Sequence, residues 1–108
     1  MSDVAVAILR KVHDGNWQVT SHARGRMAEK SISMADVLTV TENGAVIETN
    51  RGDHLGPSAL VSGRSEADLP LHVLWGMIDS MTGPAYLVTA YWPDPLEWSA
   101  EFTARRTK

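Results

Sequence analysis

Apolar residues recur at helical spacing over residues 3–14 (DVAVAILRKVHD), where Val4, Ile8, Leu9 and Val12 form one stripe. Asp3 caps the start of this predicted helix and Gly15 ends it. His13 falls in the last turn, where a cation is favoured, and takes a structural role. Residues 17–20 form a short extended link or edge strand. The next stretch, 20–40 (TSHARGRMAEKSISMADVLTV), predicts two short helices joined by a tight turn. Thr20 or Ser21 caps the first, because a hydroxyl accepts from the free N–H groups of the first turn. Ser33 with Asp36 resembles a capping box, and Ile32 with Val37 a hydrophobic staple. Asn43 and Gly44 stop the second helix, glycine tolerating a left-handed exit.

Past Gly44 the strand signals take over. Strands are expected near 45–49, 58–62, 71–78 and 85–92, with a turn-rich loop over 50–57. Over 71–78 the alternation places Leu71, Val73, Trp75 and Met77 on one face and His72, Leu74, Gly76 and Ile78 on the other. The connection at 79–84 is too short for a parallel crossover, so the last two strands form an antiparallel hairpin. Pro93-Asp94-Pro95 breaks the sheet, and residues 96–106 read as a short helix with Trp98 and Phe102 on one face. Leu38, Val73, Trp75, Ile78 and Val88 are expected in the core. The expected fold is α+β in a single domain, 1–108: N-terminal helices on one face of a four-stranded, mainly antiparallel sheet, with a short C-terminal helix.

Composition narrows the function. The chain is 44% apolar and 21% charged, as ordinary globular proteins are. It has no cysteine, which removes disulfides, thiol catalysis and cysteine-based zinc sites. No apolar run approaches the ~20 residues of a membrane span, and the start lacks a signal-peptide pattern, so the cytoplasm is expected. The formal net charge of −3 argues against a general nucleic-acid binder. Arg51-Gly52-Asp53 carries no weight as an adhesion motif in such a protein.

Candidate chemistry concentrates on the first helix of the 20–40 stretch. His22, Arg26 and Glu29 share one face by their spacing. That arrangement sets a base beside a phosphate clamp; the plainer reading pairs Arg26 with Glu29 at the surface. A DNA-reading helix-turn-helix over 24–40 ranks low, because its second helix carries Asp36 and Glu42 and no Arg or Lys. His22, His54 and His72 lack the spacing of a metal site, and neither metal nor cofactor is expected.

Four motifs occur in order: H-A-x-x-R-M at 22–27, I-S-x-x-D-V at 32–37, P-L-H-V at 70–73 and Y-x-P-D-P-x-x-W at 91–98, followed by Arg105-Arg106. Their succession resembles the bacterial domain of unknown function 4258 family, over residues 17–106. That family is similar to RelE-like toxins, small ribonucleases with helices on an antiparallel sheet. The resemblance implies a metal-independent endoribonuclease that cleaves RNA by acid–base transesterification, with His22, Arg26, His72 and Tyr91 as catalytic residues. His22 or His72 would be base or acid, Arg26 a forked phosphate ligand and Tyr91 an orienting hydroxyl. Arg24, Arg105 and Arg106 would be further RNA contacts. It also implies two partners, RNA (ribosome-bound mRNA included) and a cognate antitoxin protein. The competing class is a non-catalytic protein-binding module of a toxin–antitoxin-like pair.

Overall fold

The structure, a computed structural model, describes residues 3–53, 56–77 and 82–106. The chain runs α1 (Asp3–His13), β1 (Trp17–Val19), α2 (Ser21–Lys30), α3 (Met34–Asn43), β2 (Ala45–Asp53), β3 (Gly56–Arg64), β4 (Pro70–Gly76) and β5 (Ala85–Tyr91). Among the described residues the fold is α+β, three helices and a five-stranded mixed sheet of order β1-β5-β4-β3-β2.

The helix termini follow from local chemistry. Thr20 caps α2: its Oγ1 accepts from the Ala23 N–H at 3.1 Å. The capping box of α3 is complete, with the Ser33 hydroxyl accepting from the Asp36 N–H and the Asp36 carboxylate from the Ser33 N–H. Ile32 and Val37, the staple pair, are both buried. Gly44 departs from expectation. Its φ is −85°, so no left-handed exit occurs. A glycine fits there because a Cβ would collide with the carbonyl oxygens of Ser62 and Val40.

The core lies between the helices and one face of the sheet. Val4, Ile8 and Val12 of α1, Ala23 and Met27 of α2, and Val37 and Val40 of α3 pack with Val61, Leu71, Val73, Trp75 and Leu87. Trp75 is wholly buried. Its indole N–H donates to Thr41 Oγ1 at 2.9 Å, and Trp17 meets it edge-on with ring centres 6.2 Å apart. Val73 is likewise core. Val88 and Leu38 are only half-buried, and Ile78 lies outside the described residues.

Two expectations about the sheet are corrected. It has five strands, not four, because Trp17–Val19 joins its edge and pairs with β5 in parallel: Trp17 stands opposite Ala85 and Val19 opposite Leu87. Bonds from Ala85 N–H to Asn16 O and from Thr20 N–H to Leu87 O extend this seam. The other pairings are antiparallel, including the expected β4–β5 hairpin, so the sheet is mixed. β2 and β3 are also longer than expected, and 51–53 belongs to β2 rather than to a loop.

The expected C-terminal helix does not form. After a turn at 95–97, Trp98 bridges antiparallel to Arg105. Side chains satisfy the backbone in place of helical bonds. Asp94 accepts from the Leu96 N–H, Ser99 Oγ accepts from Thr103 and Ala104, and Phe102 adopts a left-handed φ of 59°. The burial of Trp98 against the sheet decides the conformation. Among the described residues no helix is long and apolar enough to cross a membrane.

Candidate functional site

The sheet face away from the helices carries the polar chemistry. Ser62, His72 and Tyr91 are in register across β3, β4 and β5 and form one row. His72 is wholly buried within it. Its Nδ1 lies 3.1 Å from the Tyr91 hydroxyl and its Nε2 2.7 Å from the Phe102 carbonyl oxygen. A carbonyl only accepts, so Nε2 carries the proton and Nδ1 accepts from the Tyr91 O–H. Ser62 Oγ donates to the same Phe102 carbonyl at 3.1 Å. Tyr91 and Trp98 meet the His72 ring edge-on, with centres 5.2 and 4.4 Å away.

Burial lowers the His72 pKa from its ordinary value, offset in part by the Phe102 carbonyl and by Glu48; Arg105 lowers it further. Tyr91 is raised, chiefly by burial, so the phenol is protonated at neutral pH.

Segment 93–106 also brings Arg105 to Glu48 of β2, which makes a charged pair. Arg105 Nε and the Glu48 carboxylate are 2.8 Å apart, and Arg105 Nη2 reaches the other carboxylate oxygen at 3.2 Å. The Arg105 guanidinium also lies 4.6 Å above the Trp98 ring. The side chains of the pair are 64% and 41% exposed, so it contributes about 0–1 kcal/mol to stability and is free to exchange partners.

Two hollows meet at Tyr91. A groove of about 420 Å³ runs over the sheet between Glu48, Asn50, Ser58, Leu60, Tyr91 and Arg105. A crevice of about 350 Å³ separates α2 from the corner after β5, between Arg26, Lys30, Tyr91, Trp92, Asp94 and Glu97. The position of α2 is set at one end by β5 and at the other by Trp92, just after it. Thr20 Oγ1 donates to Leu87 O at 2.9 Å, and the Trp92 indole N–H donates to Lys30 O at 2.9 Å.

Of the residues singled out in the sequence, His72 and Tyr91 are in direct contact and Arg26 shares a crevice with Tyr91. His22 is exposed on the first turn of α2 and lines neither hollow. Arg24 is exposed, Arg105 pairs with Glu48, and Arg106 Nε donates to Pro95 O. Glu48 escaped sequence reasoning: it is one acidic residue on a strand, with no local pattern to mark it. Among the described residues no three His, Cys, Asp or Glu side chains are grouped to hold a metal ion, and His54 lies outside those residues.

No curated protein and no solved structure matches the chain. A family model does, over residues 19–92: the one described as Domain of unknown function (DUF4258). That span is well over half of the sequence and contains α2, α3, β2–β5 and the side chains of Arg26, Glu48, His72 and Tyr91. A match over that span shows that the chain belongs to the DUF4258 family.

Proposed function

We propose that this protein is a metal-independent RNA-cleaving module with an activity like that of RelE-like toxins, acting on the helix-free sheet face around Tyr91. The observation that carries the reading is the place of Tyr91 between two hollows, each with a guanidinium in its wall. RNA cleavage without a metal needs a base, an acid and cations for the developing phosphorane charge. Glu48 takes the proton of the ribose 2′-hydroxyl, and the 2′-oxygen bonds to phosphorus. The bond from phosphorus to the 5′-oxygen breaks, and a water oriented by the Tyr91 oxygen gives its proton to that oxygen, the Tyr91 proton being held by His72 Nδ1. The hydroxide so formed takes the proton from Glu48. The products are a 2′,3′-cyclic phosphate and a 5′-hydroxyl. Arg105 is freed as Glu48 becomes neutral, and it turns its fork to the phosphorane. Arg26 grips the neighbouring phosphate from the α2 side. Both ring nitrogens of His72 are engaged inside the protein, so His72 positions rather than transfers protons. His22 has no proton-transfer step and joins Arg24 and Arg106 as outer RNA contacts. An antitoxin-type protein would silence this site by covering the groove.

The test is incubation of the purified protein with single-stranded RNA in the presence of a chelator. Fragments with 2′,3′-cyclic phosphate ends are expected, reduced roughly a hundredfold or more in Glu48→Gln and in Tyr91→Phe. A folded protein that binds RNA or a partner protein but yields no such ends is the non-catalytic module, and the reading fails.

A further inference from the structure

We infer that the Phe102 carbonyl, through His72, fixes the direction of the Tyr91 hydroxyl, so that segment 93–106 is a working part of the site. The inference rests on the RNA-cleaving reading for its functional meaning and on geometry for everything else. Across β3, β4 and β5 the row Ser62, His72, Tyr91 offers three polar side chains to one face. The Phe102 carbonyl accepts hydrogen bonds from two of them, Ser62 Oγ at 3.1 Å and His72 Nε2 at 2.7 Å. Those bonds leave the neutral His72 ring with a single arrangement, Nε2 protonated and Nδ1 an acceptor, and Nδ1 holds the Tyr91 hydroxyl at 3.1 Å. The ring cannot turn over, because Trp98 and Tyr91 meet it edge-on and it has no exposed surface. The charged groups acting on His72 are Glu48 and Arg105.

Phe102 delivers its carbonyl from a left-handed conformation that is unfavourable for a non-glycine residue, and such strain collects where geometry serves function. Segment 93–106 therefore does three things at once: it supplies the carbonyl, seals the histidine with Trp98 and brings Arg105 to Glu48. All three contributions come from beyond residue 92, where the family match ends. Related chains carrying only the matched span would need another group in place of the carbonyl.

Nitrogen-15 NMR of the histidine rings tests the geometry without any activity measurement. Wild-type His72 should show a protonated Nε2 and an unprotonated Nδ1 at neutral pH, and Tyr91→Phe should move the Nδ1 resonance while leaving Nε2 in place. A protonated Nδ1, or an Nδ1 resonance indifferent to Tyr91→Phe, overturns the inference even if the protein cleaves RNA. The functional arm uses His72→Leu, which removes the acceptor for Tyr91. The Tyr91 titration should then fall, and cleavage should lose roughly ten- to a hundredfold in kcat with KM little changed, as for outer-shell partners of reacting groups. Unchanged Tyr91 titration in a folded His72→Leu overturns the inference. Absence of cleavage by wild type overturns the RNA reading alone, leaving the NMR result to judge the relay.

Discussion

His72 illustrates how a buried polar side chain can cost little when every polar atom is matched. Among the described residues no buried side-chain nitrogen or oxygen lacks a partner. The neutral ring is the favoured form, because burial disfavours the charge. Its folded pKa is lowered, chiefly by burial, so the unfolded chain binds the proton more readily. Stability is then fully present above the ordinary value of 6.5 and is lost as pH falls below it. Urea unfolding across pH 4–8 should therefore show a midpoint that declines through the acid half, and His72→Gln should flatten that decline. A wild-type profile level between pH 7 and pH 5 would contradict the lowered pKa. At the same scale, the exposed Glu48–Arg105 pair adds little to stability.

The elements divide by how far away their causes lie. α2 and α3 were legible because Thr20, Ser33, Asp36 and the Ile32–Val37 staple act within a few residues. β1 was legible only as an ambiguous link, since three residues give almost no alternation and their partner is β5, with Thr20 and Leu87 67 residues apart. The stretch after Pro95 has helical spacing at Trp98 and Phe102, yet burial of Trp98 beside His72 overrides that local preference. Gly44 was rightly placed at the end of α3 for the wrong reason. It permits close approach of α3 to β3, and a side chain there meets backbone rather than a flexible neighbour. Gly44→Ala should thus destabilise the protein by about 1–3 kcal/mol, the usual cost of overpacking. Denaturant titration with an unchanged m-value reads this directly. Stability equal to wild type would mean that α3 can move away from β3 freely.

At the scale of the whole molecule, the helices cover one sheet face and segment 93–106 covers part of the other. Removal of residues 94–108 leaves the span that carries α1–α3 and β1–β5. That variant should keep its helix and sheet signals in circular dichroism. It should lose about 3–5 kcal/mol, the range for deleting a buried large aromatic, here Trp98. Complete unfolding would show that the sheet depends on this cover. The site was only partly legible for the same reason that the segment was misread. Motifs brought Arg26, His72 and Tyr91 forward, and α2 does bring Arg26 to the crevice at Tyr91. Glu48 and the Phe102 carbonyl reach the site through register and through a backbone turn, neither of which leaves a mark in residue type.

The late position of segment 93–106 has a consequence during protein synthesis. Translation delivers residues at about 5–20 per second, N-terminal ones first. α1, α2 and α3 have local causes and can form early, but β1 waits for β5 and the Tyr91–His72 relay waits for Phe102. A nascent chain halted before residue 102 has Arg26, Glu48, His72 and Tyr91 without the carbonyl and guanidinium that organise them. If the protein attacks RNA, the ribosome that makes it is spared until the last residues of the relay have emerged.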